Sequence, residues 1–211
     1  MTNFKKFINR YDAGIQLAEK LHAFKNKSDA IVLALPRGGV PVAYEIAKAL
    51  QLKLDLLIVR KLGVPEHEEL AFGAIGANDV MVLNDDIINE LNISPKIIEQ
   101  VKAGEKLELL RREKVYRKEK PFPDLQHKTV ILVDDGIATG ATIRAAISVL
   151  STFAVKSIIV AVPVIDKQIY SVLSSLVDKV VSLNIVDHLI AVGNWYEDFS
   201  QTEDEEVFRL L

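Results

Sequence analysis

Thirteen residues, Val130-Ile-Leu-Val-Asp-Asp-Gly-Ile-Ala-Thr-Gly-Ala-Thr142, place chemically useful side chains in a fixed order. Two adjacent carboxylates, Asp134 and Asp135, follow four apolar residues. The small residues Gly136, Ala138, Gly140 and Ala141 come next, and their backbone N–H groups can approach an anion closely. Thr139 and Thr142 add hydroxyl donors, and a helix starting at Thr142 would aim the positive end of its dipole at the same place. Such a loop is a phosphate cradle. The carboxylates would repel the phosphate itself but suit vicinal hydroxyls about one ribose away, so the segment asks for a sugar phosphate. No Gly-Lys-Ser/Thr follows, which excludes a Walker loop, and no Gly-x-Gly-x-x-Gly is available for a dinucleotide.

Other segments hold candidate residues. Leu33-Ala-Leu-Pro-Arg-Gly-Gly-Val40 is a second strand-to-helix turn, with Arg37 beside Gly38 and Gly39. There backbone N–H groups and a guanidinium fork could meet anionic oxygens. Arg60 and Lys61 stand at an expected strand end, followed by Glu66, His67, Glu68 and Glu69. Near the carboxyl terminus, Trp195 and Tyr196 could stack on a ring, or could anchor the tail to the core. His22, His127 and His188 share no metal-ligand spacing.

These residues need a scaffold. Continuous apolar runs at Ala30–Leu35, Leu54–Val59, Val130–Val133, Ser157–Val162 and Val180–Leu183 suit the buried strands of a parallel sheet. Helical spacing is seen at Gly14–Phe24, Val40–Leu50, Thr142–Phe153 and Lys167–Leu176. The alternation predicts an α/β fold with a doubly wound, mostly parallel sheet. Between Leu62 and Val82 the glycines and Pro65 predict a β-hairpin with a mobile tip. Ser94-Pro95 then opens a long helix to about Lys120, with nine Lys/Arg against five Glu, read as a solvated amphipathic helix on the outside of the sheet. One domain is expected over residues 1–211: a core at about 11–185, an insertion at about 62–123 and a C-terminal tail at about 186–211.

Composition narrows the function. Forty-nine per cent hydrophobic residues can build a sizeable core, and a net charge of −3 gives no field to gather nucleic acid. There is no cysteine, so disulfides, thiolate metal sites and a cysteine nucleophile are excluded, in keeping with a reducing cytosol. No apolar stretch reaches the ~18 residues of a membrane span, and the first residues do not form a signal core. A cytoplasmic protein is expected.

The Val130–Thr142 segment resembles the signature of type I phosphoribosyltransferases: four apolar residues, two acidic ones, then a small-residue loop ending Thr-Gly-x-Thr. The resemblance extends from about Tyr11 to Ser200. It is closest to a group of bacterial phosphoribosyltransferases of unassigned acceptor that share Leu-Pro-Arg-Gly-Gly-Val-Pro-Val, Arg-Lys-Leu-Gly-Val-Pro and Trp-Tyr-Glu-Asp-Phe. It implies that Asp134 and Asp135 hold the ribose hydroxyls of 5-phosphoribosyl-1-pyrophosphate (PRPP), and that Ala138, Thr139, Gly140, Ala141 and Thr142 bind its 5′-phosphate. Mg²⁺ would be carried mainly by PRPP, with Asp134 and Asp135 nearby.

By the same resemblance, Gly38 and Gly39 meet pyrophosphate in a turn that in the family often holds a cis peptide. Arg37, Arg60 and Lys61 stabilise the departing pyrophosphate, the loop at about 62–72 closes over it, and Trp195 and Tyr196 contact the acceptor. Family members are commonly dimers. The chain also departs from the pattern. The closing loop brings three glutamates where the orotate enzymes bring basic residues, and Glu68 or Glu69 could instead serve Mg²⁺ or a basic substrate. Ala138 stands where the 6-oxopurine enzymes place their aspartate base, which argues against hypoxanthine or guanine. A regulator that senses PRPP or a nucleotide on the same fold is the rival reading. A phosphohydrolase is disfavoured, because its Asp-x-Asp nucleophile arrangement is not present.

Overall fold

Runs of Val, Ile and Leu become central strands only if both faces are covered, and here they are. In the computed structural model, which describes residues 6–118 and 120–211, Ala30–Ala34 and Thr129–Val133 are buried along their whole length. In chain order the elements are α1 (Arg10–Lys20), β1 (Ala30–Ala34), α2 (Gly39–Leu50), β2 (Lys53–Leu56), β3 (Val59–Val64), β4 (His67–Gly76), β5 (Met81–Leu83), α3 (Asp85–Glu90) and α4 (Pro95–Arg117). They continue with β6 (Thr129–Val133), α5 (Ala141–Leu150), β7 (Ser157–Asp166), α6 (Lys167–Ser174), β8 (Lys179–Val186) and α7 (Asp204–Leu210).

The chain divides into two compact units. The first comprises residues up to Leu56, Leu125–Thr139 and Val155–Leu211. Its sheet runs β2-β1-β6-β7-β8, every pair parallel. Chain order therefore proceeds one way from β1 to β2 and the other way from β6 to β8, which makes the sheet doubly wound with its switch between β1 and β6. Right-handed crossovers then put α2 and α6 on opposite faces. Helices α1 and α2 pack against each other, α2 covers β1, β2 and β6, and α6 covers β7 and β8. In open sheets of this kind ligands bind beyond the strand ends at the switch point.

The second unit comprises Leu57–Asp124 and Gly140–Ala154. Its antiparallel sheet is β3-β4-β5, and both α4 and α5 pack against β3 and β4. Gly76 of β4 owes its identity to α5, since a Cβ there would lie 2.7 Å from Val149 Cγ1. The expected hairpin is β3 with β4, and its register shifts twice near the tip, between Leu62 and Gly63 and between Gly63 and Val64. Pairing runs from Val59↔Gly76 to Val64↔His67, and only Pro65 and Glu66 turn the chain, with Glu66 at φ 68.

Several expectations change. The apolar run Leu54–Val59 is not one strand. β2 ends at Leu56, buried Leu57 and Ile58 carry the chain across, and β3 begins at Val59 in the other sheet. Hydrophobicity is continuous through the change of hydrogen-bonding partner, so periodicity could not locate it. Helix α1 begins four residues earlier than predicted, because its first turn is polar and is set by the Asn9 side chain accepting from Asp12 N–H. The long helix is no appendage of the parallel sheet. It lies on β3 and β4, burying Leu109 and ending at Lys118 in the left-handed region.

Candidate functional site

Strands β1 and β6 are neighbours, with Ala34 opposite Val133, so the segments leaving their carboxyl ends emerge side by side. From β1 come Leu35 to Gly39, whose Pro36–Arg37 peptide bond is cis. From β6 come Asp134, Asp135 and Gly136, after which the backbone returns to the sheet. Ile137 N–H donates to Val164 O at 2.9 Å, and Asp166 N–H donates to Ile137 O at 3.0 Å. Gly136 makes that return possible, since a Cβ there would lie 2.4 Å from Val192 Cγ1.

The two turns are in close contact. A Cβ on Gly38 would sit 2.1 Å from Asp135 Oδ2, and one on Gly39 would sit 2.7 Å from Val133 O and 3.0 Å from Asp134 Cα. The glycines predicted to approach pyrophosphate are thus the residues that let the first turn lie against the acid pair. Arg37 is on the same turn, but its guanidinium faces Glu203 Oε2 at 3.6 Å and Asp204 Oδ1 at 3.5 Å, at the start of α7.

The aspartates are partly buried and unequally supported. Asp134 Oδ1 accepts from Asp135 N–H at 2.9 Å. Burial pushes the Asp134 carboxyl well above the usual carboxylate range, and the charge of Asp135 adds to the effect. Burial also raises Asp135, but against the opposing pull of Arg10, whose Nε donates to Asp135 Oδ2 at 2.8 Å. Arg10 NH1 donates to Ser200 O at 2.8 Å, and its guanidinium lies 3.8 Å from the centre of the Phe199 ring. Tyr196 OH donates to Asp135 O at 2.6 Å.

Of the two parts expected for Tyr196, stacking on an acceptor or anchoring the tail to the core, the structure gives it the anchor. It is 2% exposed, its ring packs between Phe7 and Phe199, and burial raises its hydroxyl pKa. A ring enclosed in this way offers no face to an acceptor; its work is to hold Asp135. Trp195 is half-buried in the short turn Val192–Trp195, packed against Val164, Val186 and Leu189.

After Asp134 and Asp135, Ala138 is partly buried and Thr139 is exposed. Gly140 takes φ 72, a conformation that favours glycine, and opens α5, where Ala141 is buried and Thr142 exposed. The first N–H groups of a helix have no partner within it, so this turn has donors to offer.

Arg60 and Lys61 lie within β3, inside the hairpin and not before it. Arg60 Nε donates to Glu105 Oε2 of α4 at 2.5 Å. Alternation along the strand sends Lys61 to the opposite face, so the pair cannot act as one two-pronged cation. The side chains of Glu68 and Glu69 lie outside the described residues.

Sequence reasoning missed Arg10 and Phe199. Arg10 is 125 residues from Asp135 and belongs to no motif. A cation just after a helix-capping Asn9 was the only local sign of it.

Fold and site together define an α/β protein with its candidate site at the switch point of a parallel sheet, built from an acid pair and a glycine turn. The family model for the phosphoribosyl transferase domain matches residues 2–198, and the chain belongs to that family. Proteins from two strains of Mycobacterium tuberculosis, provisionally named phosphoribosyl transferases, are 44% identical over 207 residues. The alignment covers 98% of this chain and 46% of each relative, so the chain spans less than half the length of those proteins. The crystal structure of TT1426 from Thermus thermophilus superimposes with a TM-score of 0.89 at 36% identity, covering 97% of both chains. An Aquifex aeolicus protein, AQ2163, shares the fold at a TM-score of 0.52 and 12% identity, covering 87% of this chain and 78% of its own.

Proposed function

We propose that the chain is a phosphoribosyltransferase that transfers ribose 5-phosphate from PRPP to an acceptor other than a 6-oxopurine, releasing pyrophosphate. One observation carries the reading: the acid pair and the Gly38–Gly39 turn leave adjacent strands at the switch point, so close that a Cβ on either glycine would collide with the acid-pair segment. A hydroxyl-accepting pair beside a bare backbone turn suits a ribose that carries a pyrophosphate.

In this reading Asp134 and Asp135 accept hydrogen bonds from the ribose hydroxyls. The segment Ala138, Thr139, Gly140, Ala141 and Thr142 cradles the 5′-phosphate with N–H groups and hydroxyls, and Gly38 and Gly39 present N–H groups to pyrophosphate. Arg37 turns from Glu203 and Asp204 to the leaving group. Of Arg60 and Lys61, which β3 sends to opposite faces, one and not both is a candidate for the same charge, and Arg60 must first leave Glu105. Trp195 is the aromatic candidate for contact with the acceptor. The protein supplies positioning and charge stabilisation as the bond at ribose C1 breaks, and no covalent protein nucleophile is needed.

Hard carboxylate oxygens beside a polyphosphate suit Mg²⁺, which is commonly held by one or two carboxylates plus substrate phosphates. Among the described residues no group of three or more His, Cys, Asp or Glu gathers to hold a metal, so PRPP would complete the shell around Asp134 and Asp135. Mg²⁺ when bound neutralises charge on the leaving pyrophosphate. Among the described residues no helix is long and apolar enough to cross a membrane. A cytoplasmic setting and a homodimer complete the proposal.

Isothermal titration with PRPP and Mg²⁺ tests the donor half, and a screen of nucleobases for pyrophosphate release tests the transfer. Saturable binding that Asp134→Asn weakens about tenfold or more is expected, the scale of losing a hydrogen bond to a charged group. Binding without release for any acceptor would favour a PRPP-sensing regulator. No binding by the wild-type protein would remove the donor from the reading.

A further inference from the structure

We infer that Arg10 is a positioning residue for the donor site: it fixes Asp135 so that one carboxylate oxygen, Oδ1, is presented to a ribose hydroxyl. The inference rests on reading Asp135 as a hydroxyl acceptor.

Asp135 is held at three atoms by three different parts of the chain. Its N–H donates to Asp134 Oδ1 at 2.9 Å, its carbonyl accepts from Tyr196 OH at 2.6 Å, and its Oδ2 accepts from Arg10 Nε at 2.8 Å. Arg10 is itself fixed. The side chain is 10% exposed, NH1 is committed to Ser200 O, and the guanidinium is stacked 3.8 Å above Phe199.

The mode of contact matters. Arginine commonly grips a carboxylate with two parallel hydrogen bonds, which would occupy both oxygens. Here the guanidinium meets Asp135 through Nε alone, at Oδ2, while NH1 holds Ser200 O, and Oδ1 is left to a ligand. A free aspartate would rotate about its side-chain bonds and would lose that freedom on binding. One clamped by a planar, stacked cation has lost it already, and preorganisation of this kind strengthens binding. The Oδ2 side is also the side facing Gly38, so a displaced carboxylate would intrude on the turn expected to meet pyrophosphate.

A double-mutant cycle with PRPP and Mg²⁺ as probe separates positioning from general support of the fold. Arg10→Met is expected to raise the Kd about tenfold, whereas in an Asp135→Asn background the same change should shift it less than about twofold. Arg10→Lys, which keeps a charge but loses the fork, should weaken binding about threefold and likewise have no effect without Asp135. Should Arg10→Met fail to fold, Arg10→Lys read in the two backgrounds makes the same distinction. An unchanged Kd in Arg10→Met, or a loss repeated in full without Asp135, would overturn the inference while leaving PRPP binding by the wild type intact. A wild-type protein that takes up no PRPP would overturn the donor reading on which it stands.

Discussion

Burial and the neighbouring charge of Asp135 hold the Asp134 carboxyl well above the ordinary aspartate pKa of about 4. An acid whose pKa is raised by folding binds its proton more tightly in the folded state, so stability falls as pH rises from the ordinary value toward the raised one. Above that window the folded protein carries a charge it would rather be without. Asp134→Asn removes the charge, and its amide oxygen can still accept from Asp135 N–H. The variant should melt about 2–4 °C higher than the wild type at pH 8, the effect of roughly 1 kcal/mol in a chain of this length. The gain should shrink toward pH 4, even as PRPP binding is weakened. Calorimetry at several pH values checks this, and a lower melting point or a gain independent of pH would contradict it. Such opposition between stability and binding is expected where a site concentrates charge.

At the scale of elements, the turn from β1 into α2 shows how close packing replaces side-chain chemistry. Gly39 is the first residue of α2, where alanine would normally improve helix propensity. Yet its Cβ would meet Val133 O and Asp134 Cα, both backbone atoms of the adjoining segment that cannot rotate aside. Gly39→Ala should therefore cost about 1–3 kcal/mol, seen as a lower urea midpoint with unchanged m-value, and should weaken PRPP binding as well. This turn and the loop from Asp134 to Thr142 were legible in the sequence because each is local: strand, small residues and charge follow one another directly. The clamp on Asp135 was not legible. Arg10, Tyr196 and Phe199 come from opposite ends of the chain and meet only after folding, and the sequence could not choose between Tyr196 as a binding aromatic and as a core anchor because its burial is a tertiary fact. Helix α3 escaped notice for another reason, since six residues without a buried member show no periodicity.

At the scale of the molecule, the second unit joins Leu57–Asp124 to Gly140–Ala154, and no local pattern marks the latter as part of the same unit. Helix α5 carries apolar residues like any sheet-covering helix, and hydrophobic pattern does not say which sheet is covered. The consequence is specific. Strands β3 and β4 bury Leu62 and Phe72 completely and rest against both α4 and α5, with Val149 of α5 seated over Gly76. A peptide of residues 57–124 retains α4 but leaves uncovered the side of β4 that α5 protects. Contiguous apolar surface left bare in this way favours association over a single packed state. That peptide should give a collapsed, poorly dispersed amide spectrum. Joining residue 124 to residue 140 by a short Gly/Ser linker and extending to residue 154 restores the cover, and should give a dispersed spectrum with slowly exchanging amides in β3 and β4. If residues 57–124 alone produce those protected amides, α5 is dispensable to the unit. If the joined peptide also lacks them, the unit depends on more of the chain than its own two segments.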